Sequence, residues 1–68
     1  MDKFGERINE ARKAREWSIL ELALTADVSS SNIVRYEQGL GGPTLHNAIK
    51  LADALDVSLD WLAGRTEE

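Results

Sequence analysis

The stretch S-I-L-E-L-A-L-T-A-D-V-S-S-S-N-I-V-R-Y-E-Q-G, residues 18–39, decides the fold because it carries two start signals for helices. Ser18 with Glu21 three residues on forms a capping box, in which the hydroxyl and the carboxylate each satisfy an amide that the helix leaves unpaired. Ser29 precedes an amphipathic run that stops at Gly39. The spacing predicts helices over about 19–26 and about 30–38, joined by a tight turn at Asp27 and Val28. Leu22, Ala23 and Ala26 face inward on the first, and Ile33, Tyr36 and Glu37 on the second. Asp27 stands where the chain needs a left-handed residue, which Asp tolerates better than most side chains but less easily than Gly.

Outward from that stretch, three more helices fit. A first helix over about 2–15 carries Phe4, Ile8 and Ala11 at helical spacing, with Asp2 as its N-cap. Gly39, Gly41, Gly42 and Pro43 read as a loop, after which Thr44 caps a helix over about 45–55. That helix places Leu45, Ala48, Ala52 and Leu55 along one stripe, widened by Leu51. Ser58 caps a short helix over about 59–63, ended by Gly64. No alternating run long enough for a strand occurs. The expectation is an all-α, five-helix fold in a single domain over residues 1–68.

Composition narrows the function. With no cysteine, neither a disulfide nor a thiolate metal site is available, and His46 stands alone, so the chain is expected to hold no metal and no cofactor. A lone histidine and the absence of a phosphate loop after a strand argue against an enzyme; the G-L-G-G at 39–42 reads as a connection. No apolar run approaches the roughly 20 residues of a membrane span. The start, M-D-K-F-G-E-R, lacks the apolar core of a signal peptide, so a cytoplasmic protein is expected. The 12 acidic and 8 basic residues give a net charge of −4, against the basic footprint usual for nucleic-acid binders. The placement is uneven: Lys3, Arg7, Arg12, Lys13 and Arg15 lie in the first helix, and Asp53, Asp56, Asp60, Glu67 and Glu68 near the C-terminus.

From Leu22 the pattern L-A-x-x-A-x-V-S-x-S-x-I-x-R-Y-E-x-G, followed by P-T-L and A-D-A-L-D-V-S-L-D-W-L, resembles the Cro and phage-repressor (XRE-type) helix-turn-helix family. The resemblance covers Phe4 to Gly64. It implies a lambda-repressor-like DNA-binding domain and a sequence-specific transcriptional regulator, in which helix 3 enters the major groove of an operator. Ser30, Ser31, Asn32 and Arg35 then fall at base-reading positions. Arg35 suits guanine O6 and N7, and Asn32 suits adenine or a phosphate. Without that resemblance the serines and Asn32 are simply good first-turn residues, and Arg35 a solvated charge. Ser18, Ile19, Gln38 and Arg12 are the implied phosphate contacts, and Arg12 with Glu37 the implied structural ion pair. Val57, Trp61 and Arg65 fall where several phage repressors pair, which implies a homodimer on a near-palindromic double-stranded DNA operator; Trp61 as core filler is the alternative.

The chain departs from that family at two places. Ile19 stands where a glutamine is usual, and Leu40, Gly41 and Gly42 where basic residues are usual, so phosphate anchors are missing; Gln38 and Lys50 are left to recover part of the loss. Leu20 and Leu24, one helical turn apart, are apolar where the family is polar, with Ile19, Val34 and Leu40 nearby. They are expected either to be buried by helix tilt or to form a protein-partner surface at Leu20 and Leu24, the basis of an alternative function as a protein-interaction module. Leu59 and Leu62 are expected to close the core, with Trp17 as a lid over it.

Overall fold

The computed structural model describes residues 3–67, which form α1 (Phe4–Ala14), α2 (Ile19–Ala26), α3 (Ser30–Glu37), α4 (Leu45–Leu55) and α5 (Leu59–Leu62). No strand occurs among the described residues. The helices follow their capping residues. Ser18 Oγ accepts from the Glu21 amide at 3.0 Å while Glu21 Oε1 accepts from the Ser18 amide at 2.7 Å. The side chains of Ser29, Thr44 and Ser58 likewise each accept an amide three residues on, at 3.2, 3.1 and 3.0 Å. The first helix is shorter than expected at both ends, and the third and fifth each end one residue early. Lys3 is the N-cap of α1 without a side-chain bond, and Asp2, the expected cap, lies outside the described residues.

One tripeptide, D-V-S, builds two of the turns. Asp27 at φ 58° and Asp56 at φ 55° both take the left-handed conformation. The next amides, of Val28 and Val57, reach back to the carbonyls of Ala23 and Ala52 at 3.2 and 3.0 Å, and Ser29 and Ser58 then cap the following helices. Glu16, also left-handed at φ 58°, ends α1 with the Trp17 amide on the Arg12 carbonyl at 3.1 Å, the hydrogen bonding of a Schellman motif. Glu16 is not announced by residue type, because the left-handed position more often belongs to Gly, whereas Asp56 repeats the residue type and tripeptide of Asp27.

The core is one cluster. Ile8, Leu22, Ile33, Leu51, Leu55 and Leu62 are fully buried at its centre. Phe4 and Tyr36 meet edge to face with ring centroids 5.5 Å apart. α3 packs against α1 and α2, α2 also against α4, and α5 against both α1 and α4. Trp17, Ile19, Val57 and Trp61 are half-buried and lean on this cluster. Two leucines expected inside are not: Leu45 is 70% exposed and Leu59 is also exposed. Both are the first residues of their helices, where the side chain stands beyond the layer that the neighbouring helices cover. They line the rim of a shallow apolar groove between α4 and α5.

Gly5 sets the approach of α1 to α3. A Cβ there would overlap the Tyr36 carbonyl oxygen and lie 2.9 Å from its carbon.

Candidate nucleic-acid interface

Helical spacing divides α3 cleanly. Ile33 and Tyr36 are buried, and Glu37 is half-buried beside them. Ser30, Ser31, Val34, Arg35 and, at the C-cap, Gln38 are exposed on the opposite side. Ser31 and Gln38 fall near the middle of that outward face, with Val34 and Ser30 on one flank and Arg35 on the other. Asn32, expected among the base readers, is half-buried at the edge of the face rather than on it. Eight residues make a rod about 12 Å long, matched to a major groove about 12 Å wide.

The one acid of α3 is neutralised from inside. Glu37 Oε2 accepts from Arg12 Nε at 2.8 Å, and Glu37 Oε1 accepts from Arg12 Nη2 at 3.0 Å and from Asn9 Nδ2 at 2.8 Å. Burial pushes the Glu37 carboxyl up. The hydrogen bonds from Arg12 and Asn9 and the charges of Arg12 and Lys13 outweigh it, so its pKa lies below the ordinary value. The hydrogen bond to Glu37 raises the Arg12 pKa in turn, against desolvation. Arg12 Nη1 donates to the Trp17 carbonyl at 2.8 Å, which ties the loop before α2 to the same pair. With its side chain only 12% exposed, Arg12 therefore positions α1, α3 and the start of α2 relative to one another.

Arg35 is the cation left over on α3. Its guanidinium has no hydrogen-bond or ion-pair partner among the described residues. It lies near the glycine loop, where a Cβ at Gly41 would sit 3.6 Å from Arg35 Nη2. Lys50, considered as a phosphate anchor, is instead engaged: Nζ donates to the Asp27 carbonyl at 3.1 Å and stands 3.5 Å from Asp27 Oδ2. It places a positive charge at the C-terminal end of α2, where the helix dipole favours one. At the other end of α2 the Ser18 hydroxyl accepts from the Glu21 amide and the Glu21 carboxylate from the Ser18 amide, and Ile19 is half-buried. On α2 itself the outermost apolar side chains are Leu20 and Leu24, 60% and 74% exposed.

Of the residues considered for pairing, Trp61 is half-buried beneath Arg7, whose guanidinium carbon lies 4.8 Å from the ring centroid. Val57 is half-buried, and Arg65 is exposed with Nε 3.8 Å from Asp60 Oδ1. The sequence reading places Arg7 only among the basic residues of the first helix. Arg7 is a buried arginine, 8% exposed, that donates to the carbonyls of Trp61 and Thr66 at 2.7 and 2.6 Å and to Glu67 Oε1 at 3.2 Å. Its position on the inward face of α1, next to Ile8 and one turn after Phe4, was the signal available.

The family model described as Helix-turn-helix matches residues 8–62, from α1 to the end of α5. The chain belongs to the XRE-type helix-turn-helix family. Within that family it is similar to the transcriptional repressor RstR of the cryptic phage CTXphi in Vibrio cholerae serotype O1, with 40% identity over 93% of this chain and 56% of RstR. The XRE-type fold is matched by the N-terminal DNA-binding domain of SinR from Bacillus subtilis, with a TM-score of 0.91, 32% identity and full coverage of both chains. It is matched as well by SinR, the master regulator for biofilm formation, in a crystal structure with DNA: TM-score 0.84, 34% identity, 88% of this chain and 97% of that one. The chain spans about half the length of the sequence relatives it matches, between 50% and 56%. No helix among the described residues is long and apolar enough to cross a membrane.

Proposed function

We propose that this protein is a cytoplasmic, sequence-specific DNA-binding transcriptional regulator, a repressor, that lays α3 in the major groove of a near-palindromic operator. The observation that carries this reading is the outward face of α3, where Ser30, Ser31, Arg35 and Gln38 are exposed and the single acid is buried against Arg12. A net charge of −4 does not oppose it, because Asp53, Asp56 and Asp60 lie on and around α4 and α5, whereas α3 packs against α1 and α2. Arg35 is the guanine reader, Ser30 and Ser31 contact base edges or phosphates, and Asn32 reaches a phosphate from the edge of the face. The amides at the start of α2 beside Ser18 and Ile19, the Gln38 side chain and the remaining N–H groups of Arg12 are the phosphate contacts.

The reading includes a homodimer. The chain measures 27 Å in its longest extent and offers one recognition helix, while successive major-groove faces lie about 34 Å apart, so a palindrome needs two copies. Val57, Trp61 and Arg65 are the proposed contact. Selection of bound sequences from a random DNA pool, at low and then moderate salt, tests both points: an enriched palindrome with half-sites one helical turn apart is expected. A pool that stays random at both salt concentrations would sink the proposal.

A second reading rests on Leu20 and Leu24, whose exposure on adjacent turns of α2 suits a protein partner. It predicts that Leu20→Glu and Leu24→Glu each abolish capture of that partner while leaving operator binding intact. Normal capture by both variants excludes this face.

A further inference from the structure

Val34 is the only apolar residue of α3 outside the core, 38% exposed and absent from the side chains that lean on the cluster. Nothing local calls for valine there, since a β-branched residue is a poorer helix former than alanine on an open face. It follows Ser30 and Ser31 by one turn and precedes Gln38 by one turn, on the flank of the face opposite Arg35. A major groove presents hydrogen-bonding groups at every base pair but only one apolar group, the C5 methyl of thymine. Valine is suited to it: two methyl groups on a side chain with a single stiff torsion lose little freedom on contact.

We infer that Val34 is a specificity-determining residue that packs on a thymine C5 methyl, so that each half-site carries a thymine on the Val34 side of the helix and a guanine on the Arg35 side. This rests on the DNA-reading function proposed above. The face is then split by chemistry, with a bidentate cation on one flank, an aliphatic contact on the other and hydroxyl and amide groups between them.

The test uses the operator enriched by the 68-residue chain. Each thymine is replaced in turn by deoxyuridine, which removes the methyl group and keeps the base pair, and affinity is measured for the parent protein and for Val34→Ala. One thymine in each half-site is expected at which the parent loses roughly fourfold in affinity, the equivalent of one buried methyl group. Val34→Ala should bind the thymine and deoxyuridine forms equally, and Val34→Thr, which keeps one methyl on the same branched frame, should retain part of the difference. Alanine on an exposed helical face keeps the helix, which circular dichroism verifies. An operator whose thymines are all replaceable without effect, or whose methyl dependence survives Val34→Ala, overturns the role of Val34 alone. A pool that yields no operator removes the DNA-reading function and this inference with it.

Discussion

Gly5 and Arg35 pose opposite problems for a substitution. Alanine at Gly5 gains up to about 1 kcal/mol of helix propensity, but its methyl group would overlap a backbone carbonyl oxygen that no rotamer change can move. α1 and α3 must separate, and forced repacking costs about 1–3 kcal/mol or more. Gly5→Ala is therefore expected to be destabilised, read as a lower midpoint in urea; an unchanged midpoint would show that the helices separate freely. At Arg35 nothing in the fold is lost, because the guanidinium has no partner among the described residues. Arg35→Ala should keep its melting temperature and lose about 1–3 kcal/mol of binding to the cognate operator, with discrimination relaxed at one base pair. Equal discrimination by both proteins would remove Arg35 from the base readers. Arg35 was legible in the sequence because its role depends on exposure at a helical position. Gly5 was not, because its role depends on a neighbour 31 residues away, as Tyr36 follows it by that separation.

Elements are held in register by one charged junction. Arg12 on α1, Glu37 on α3 and the Trp17 carbonyl before α2 meet in a site where both side chains are nearly buried. Removing one member of a buried pair leaves the other unpaired, at a cost of at least about 3 kcal/mol. Glu37→Gln should thus be markedly less stable at neutral pH. The sign of the pH dependence follows from the lowered pKa of Glu37. Its ionised form contributes fully above the unfolded carboxyl value, near 4.5, and the contribution disappears as pH falls through the lower folded value. The stability gap between the parent and Glu37→Gln, measured by denaturant melts, should hold above about pH 5 and narrow below it. A gap that is constant into acid would mean the pair contributes through shape rather than charge. The boundaries of α2 and α4 were readable to the residue, since Ser18, Asp27, Thr44 and the following residues fix them locally. Which leucines at helix starts stay outside was not, as Leu45 and Leu59 have the periodicity of core residues but lie past the edge of their neighbours.

For the whole molecule, Arg7 is the connection between the beginning and the end of the described chain. It bonds to the Trp61 carbonyl at the end of α5, stacks on the Trp61 ring and holds the Thr66 carbonyl. Hydrogen bonds from a charged donor are worth about 1.5–3 kcal/mol, and methionine would fill the same space without supplying them. Arg7→Met is expected to lower stability by about 2 kcal/mol and to speed amide exchange in residues 61–67. Unaltered exchange there would show that α5 docks through Leu62 alone. The same residue limits the dimer proposed above. Trp61 already has Arg7 against its ring, so a second copy would meet the uncovered part of Trp61 together with Val57 and Arg65.

The sequence by itself determined the five helices, the turn at Asp27 and the outward placement of Arg35, Ser30 and Ser31, because caps, left-handed residues and helical period act over four residues or fewer. Tertiary structure alone decided that Lys50 closes the α2 turn, that Arg7 is buried beneath the C-terminal segment, that Gly5 permits the contact of α1 with α3, and that Val34 stays in solvent while Ile19 does not. Each of these depends on where distant helices pass one another. The stretch from Ser18 to Gly39 names the scaffold; its neighbours in space choose which of its apolar side chains are left to meet a partner.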